Sequence, residues 1–180
     1  MRQVLESGPV SEVARANLMP TQEGGFGDWK STNPHELSRP LRIDGKWTSP
    51  HGVVVSSPST YITVPLGIDL RPNGALRMYL TEAGTRKFPF IVGPRDYRST
   101  YNVALPKGAV IERLPPAMDI RNSAGHVSSR YEATANGFAA MRRVVLDGNV
   151  YTPEQYPDLE QLIYGFVADQ RATIVFRPTP

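Results

Sequence analysis

Four cations, Arg86, Lys87, Arg95 and Arg98, surround the run FPFIVGP, and Phe88, Phe90 and Tyr97 interleave with them. This mixture suits an anionic ligand. Arginine pairs with acids through its planar fork, and aromatic rings stack on sugars or bases. Trp29 and Trp47 add two large amphipathic surfaces in the N-terminal third. Trp29, Trp47, Arg86, Phe88, Arg95 and Arg98 are therefore the candidate binding residues. The plainer reading of the same run is a strand that turns its polar face to water.

Nucleophilic and metal chemistry find less support. The chain has no cysteine, which removes thiol proteases, transglutaminases, CxxC redox centres and Cys-bound metals. The histidines, His35, His51 and His126, are far apart. A triad would need Asp28, His35 or His51, and Ser57 to converge from separate segments. His51 follows Ser49-Pro50 and reads as a turn residue, and His126, beside a turn, is expected to be exposed. There is no G-x-S-x-G elbow, P-loop, HExxH or EF-hand spacing, and GGFGDW lacks the third glycine of a phosphate cradle. Glu112, Asp119 and Glu132 fall on different strands, so no carboxylate pair forms for acid–base work. No catalytic residue, metal set or cofactor is assigned, and the chain is expected not to be an enzyme. The remaining hydrolase reading needs an unannounced Ser or Asp nucleophile.

Composition narrows the partners. The 180 residues carry 20 Lys and Arg against 17 Asp and Glu, a net +3. Sixteen of those cations are Arg, which favours a salt-bridged surface. No run of like charge marks a nucleic-acid surface. No apolar stretch approaches the ~20 residues of a membrane span. The first twenty residues lack the apolar core of an export signal.

The elements that would position these residues are mostly strands. Pro (17) and Gly (15) punctuate the chain at the spacing of short strands and turns. Residues 1–36 read as an extension: a short helix with Val10, Val13, Ala14, Asn17 and Leu18 on one face, then a Gly-rich loop through Phe26 and Trp29. From Leu37 the period becomes two. Leu41 and Ile43 alternate with Arg42 and Asp44, and HGVVVSS and STYITVPLG form a hairpin across Ser-Pro-Ser. GTRKFPFIVGPRDY is extended. Tyr101, Val103 and Leu105 alternate, and Val110–Leu114 is a strand buried in part on both faces. Val127, Ser129, Tyr131 and Ala133 alternate with Ser128, Arg130 and Glu132, and Asn136-Gly137 then turns a hairpin into FAAMRRVVL. Thr152, Pro153 and Gln155 form a capping box for a helix over 153–170, with Tyr156, Leu159, Ile163, Phe166 and Val167 on its stripe. TIVF follows as a short strand. The expected fold is mostly β: an antiparallel β-sandwich-like domain over 37–180 with one C-terminal amphipathic helix.

The run from GTRKFPFIVGP to the terminal helix resembles a known family. It carries Arg86 before Phe88-Pro89, an LPxG…LP pattern (Leu105, Pro106, Gly108, Leu114, Pro115), and Tyr156-Pro157-x-Leu159 at the helix start. Together these are similar to the C-terminal β-domain of unknown function in bacterial transglutaminase-like proteins. The resemblance covers about residues 33 to 177. It implies a non-catalytic accessory domain whose partner is the preceding transglutaminase-like domain, in a periplasmic or extracellular setting. It transfers no catalytic residue. The alternative is a free-standing binding module for an anionic glycan or peptide.

Overall fold

The computed structural model describes residues 25–48, 53–64, 87–91, 95–148 and 150–178. The expected helix at 10–18 lies outside them. Residues 25–48 and Val53 belong to one compact unit; residues 54–64 and 87–178 belong to a second.

In the first unit, β1 (Gly25–Ser31) pairs antiparallel with β2 (Ile43–Thr48). The sequence reading expected a Gly-rich loop where β1 lies. The run pairs with β2 as a strand, in a register that sets Phe26 opposite Trp47 and Trp29 opposite Gly45. An irregularity between Phe26 and Trp29 absorbs Gly27 and Asp28. The Trp29 ring lies over Gly45, where an added Cβ would come within 2.2 Å of Cε3.

The second unit is a sandwich. Its larger sheet has the order β6 (Arg95–Ala104), β10 (Gly137–Leu146), β9 (Gly125–Thr134), β8 (Met118–Asn122). The other four-stranded sheet runs β3 (Val53–Ser56), β4 (Ser59–Thr63), β12 (Thr173–Arg177), β7 (Val110–Arg113). A two-stranded ribbon joins β5 (Phe90–Ile91) to β11 (Val150–Tyr151). The ladders that pair β10 with β9 and β6, β9 with β8, and β12 with β4 and β7 are antiparallel.

Period-two burial sets the inward face of the larger sheet. Val127, Ser129 and Tyr131 on β9 and Phe138, Ala140, Arg142, Val144 and Leu146 on β10 are buried. One end of this face is closed by the second sheet. There Tyr131, Phe138, Ala140, Ile174 and Val64 form a cluster, flanked by Ile62, Tyr101, Val103, Leu105 and Ile111. Helix α1 (Tyr156–Gln170) packs on β8 and β9. Tyr156, Leu159, Leu162, Ile163, Phe166 and Asp169 are its buried positions. Thr152 N–H donates to Gln155 Oε1 at 3.1 Å, one arm of the expected capping box, and Pro153–Gln155 forms a 3-10 turn before the helix.

The expected β9–β10 hairpin forms, but its turn residues are Ala135-Asn136: Gly137 is the first residue of β10 and pairs with Thr134, the last of β9. Gly137 has φ +155°, and a Cβ there would sit 2.0 Å from the Val103 carbonyl oxygen. Only glycine fits that approach. The expectation for Val110–Leu114 is corrected. Among the described residues β7 is an edge strand, largely exposed, with a register break against β12: Ile111 faces Phe176 and Arg113 faces Val175. The extra residue in the ladder changes the alternation, so Ile111 and Leu114 both pack on the core. TIVF, expected as a short strand, is the five-residue β12 and lies centrally in its sheet.

Candidate functional site

Arg142 and Arg143 are adjacent on β10 and therefore point to opposite faces. Arg142 points inward. Its Nε donates to Asp169 Oδ2 at 2.6 Å, and its Nη2 donates to the Asp169 carbonyl at 3.0 Å and to the Tyr131 hydroxyl at 3.1 Å. Nη1 reaches the Val64 carbonyl at 3.5 Å. Tyr131 Oη donates to Asp169 Oδ1 at 2.8 Å. The Arg142 and Asp169 side chains are 0% and 4% exposed. Burial pushes the Tyr131 hydroxyl up to about 12; the Arg142 charge opposes this and the Asp169 bond adds to it. Burial likewise pushes Tyr101 up to about 12. Ser99 and Ser129 flank Arg142 on the neighbouring strands. Their hydroxyls are buried and find no hydrogen-bond partner among the described residues.

This knot joins β9, β10, the end of α1 and the end of β4. Its Arg142 and Asp169 side chains are closed to solvent, and the bonds they make are those of a structural tie. The sequence reading missed it. Two signals were present: Arg142 falls in the apolar phase of its strand, and Asp169 falls three residues after Phe166 on the apolar stripe of the helix.

Arg143 points outward and donates to Asp96 at 2.9 and 3.1 Å. Arg98 donates to the same carboxylate at 3.0 Å. The Arg143 and Arg98 guanidiniums hold Asp96 down at about 2. Across the same outer face, His126 meets Asp119 at 2.9 Å, Arg121 meets Asp119 at 3.2 Å, and Arg130 meets Glu132 at 2.6 Å. His126 was expected to be exposed. Its side chain is only 12% exposed, because β8 places Asp119 and Arg121 beside it in the ladder.

The candidate binding residues are divided between the two units. Trp29 is half-buried against Gly45 in the first unit. Trp47 lies on β2, opposite Phe26. Arg86 lies outside the described residues. Phe88 is exposed. Arg95 and Arg98 sit on opposite faces of β6: Arg95 is half-buried with Nη1 3.4 Å from Tyr97 Oη, and Arg98 is engaged with Asp96. Among the described residues no group of three or more metal-ligating side chains forms, and no helix is long and apolar enough to cross a membrane.

A helix-backed antiparallel sandwich, tied by a buried ion pair, is the class of protein these features define. Residues 64–176 match the family described as a Domain of Unknown Function with solved-structure structure (DUF3858), and the chain belongs to that family. A crystal structure from Parabacteroides distasonis ATCC 8503, named a "putative protease", is similar with a TM-score of 0.54 and 16% identity. That likeness covers 69% of this chain and 24% of that one, so this chain corresponds to about a quarter of the longer protein. No curated protein matches.

Proposed function

We propose that this chain is a non-catalytic accessory domain of a larger transglutaminase-like polypeptide, acting by docking and shaping access to a catalytic domain. One observation carries the reading. The domain's most buried charged cluster, Arg142–Asp169–Tyr131, is spent on holding elements together, and the charges around it on the outer face are paired with one another. A likeness limited to a quarter of a longer chain fits the same reading. The absence of cysteine removes the nucleophile that a transglutaminase-like core uses. By the same resemblance the setting is periplasmic or extracellular.

The test is a calorimetric titration and co-elution of this chain with the polypeptide encoded immediately upstream of it. Association at micromolar Kd or tighter is expected. No association, or hydrolysis of ester or peptide substrates by this chain alone, sinks the proposal. The second reading, an anionic glycan or peptide module, rests on exposed Phe88 near the Arg95–Arg98 strand. The Arg98–Asp96 pair works against it, since that cation already has a carboxylate.

A further inference from the structure

The outer face of the larger sheet is built from four strands that lie wholly within the described residues and within the second unit. It carries four guanidiniums, Arg98, Arg121, Arg130 and Arg143, against three carboxylates, Asp96, Asp119 and Glu132. The Arg98, Arg121 and Arg130 side chains are 68%, 69% and 71% exposed, so the chain leaves this face to solvent. Every carboxylate on it is already bonded to an arginine. At the middle of the face, Arg143 stands directly opposite Arg98 in the β10–β6 ladder. Like charges so placed destabilise a sheet. Asp96 alone answers both: Arg143 donates to its two oxygens at 3.1 and 2.9 Å, and Arg98 donates to the same two at 3.4 and 3.0 Å. One positive charge is left over. Both guanidiniums use Nε and Nη2 in these bonds, and each keeps Nη1 without a partner among the described residues. Ser128 is the next residue in the row, beside Arg143. Along β10, Ala139, Met141 and Val145 share this face and are half-buried, an apolar strip between the charges.

We propose that this face docks an acidic protein surface, and that Arg98 and Arg143 together hold one of its carboxylates through their Nη1 groups. The choice of occupant follows from charge and area. The face has satisfied its own acids and has donors to spare, so a complementary surface brings acceptors. A small anion alone gains little here, because Asp96 already answers one of the two charges and water screens the other. A protein surface adds contact with the Ala139–Met141–Val145 strip, the apolar centre and charged surround of an interface. Ten-residue strands rising ~3.4 Å per residue and spaced ~4.8 Å apart, with the shorter β8, present about 550 Å². That approaches the ~800 Å² that each partner contributes to a standard interface. The inference rests on the accessory-domain reading, which makes the partner the preceding domain of the same polypeptide, and it names the surface that meets that domain.

Calorimetric titration of the full chain with the polypeptide encoded immediately upstream tests it, run on the wild type, on the double variant Arg98→Gln with Arg143→Gln, and on Arg171→Gln. Arg171 is exposed at the end of α1, away from this face, and controls for loss of one charge. The double variant should bind about tenfold or more weakly with unchanged circular dichroism, and Arg171→Gln should bind as the wild type does. Raising salt from about 50 to about 300 mM should weaken the wild type more than the double variant. If the double variant loses its fold, Arg98→Gln alone replaces it, with a loss of about threefold expected from that single contact. Wild-type association that the double variant matches overturns the proposal and leaves the accessory-domain reading standing. No wild-type association removes both. A heparin-derived sulfated oligosaccharide that binds the wild type more tightly than the polypeptide does, and fails to bind the double variant, makes the partner a glycan and also overturns the proposal.

Discussion

Arg142 and Arg143 are neighbours in sequence, and each binds one aspartate at under 3 Å, yet the two faces of the larger sheet use them differently. The inner pair is 0% and 4% exposed; the outer pair is 40% and 42% exposed. On the inner face water is excluded, so each polar atom must find a protein partner or go without. On the outer face water screens the pair and replaces either member. Proximity alone does not rank ion pairs; burial does.

The largest effect is expected from breaking the inner knot. Asp169→Ala leaves a buried guanidinium uncompensated and should cost about 3–5 kcal/mol in denaturant unfolding. A well-packed double variant, Arg142→Met with Asp169→Leu, should recover much of that loss. If the double variant is as unstable as the single, the cost lies in packing and the comparison fails.

Tyr131→Phe removes the hydroxyl that Arg142 and Asp169 share and should cost about 1–3 kcal/mol. It also tests the alkaline limb. Tyr131 is held at about 12 in the fold against about 10 unfolded, so its contribution is complete below pH 10 and is lost as pH rises through 12. The variant should flatten part of that loss in pH-dependent melts, with Tyr101 retaining the rest.

Ser129→Ala goes the other way. Its hydroxyl is buried without a partner among the described residues, so removal should leave stability unchanged or raise it by up to about 1 kcal/mol. A clear loss in thermal melts would mean that a bound water satisfies the hydroxyl.

The smallest effect belongs to the outer face. Asp96 is depressed to about 2, so its contribution is present above the unfolded value near 4 and is lost as pH falls from about 4 to 2. At 42% exposure that contribution is discounted for screening, and Asp96→Asn should cost less than about 1 kcal/mol at pH 7. The variant should also lose its share of the acid-limb slope. A cost equal to that of Asp169→Ala would erase the distinction between the faces.

The β9–β10 hairpin and α1 were legible because their determinants are local: strict alternation on both arms with a turn signal one residue from the Ala135-Asn136 turn that forms, and the Thr152–Gln155 box before an apolar stripe. The bulge in β7 was not legible, because it appears only when β12 is laid beside it. β1 differs from the loop reading for a related reason: its glycines are local signals, while β2, the strand it pairs with, lies on another segment. The candidate ligand run also changed meaning in three dimensions. Alternation divides Arg95 and Arg98 between two faces, and Asp96 and Arg143 together engage Arg98's side.

By itself the sequence determined the strand-rich class, the β9–β10 hairpin, the helix and the absence of thiol chemistry. Periodicity, caps and composition act over a few residues, so one strand of text contains them. Only the tertiary structure decided which arginine is buried, which strand is an edge, and that Asp169 completes Arg142 from 27 positions away. Those outcomes depend on which segments exclude water from one another, and that is a property of the packed chain.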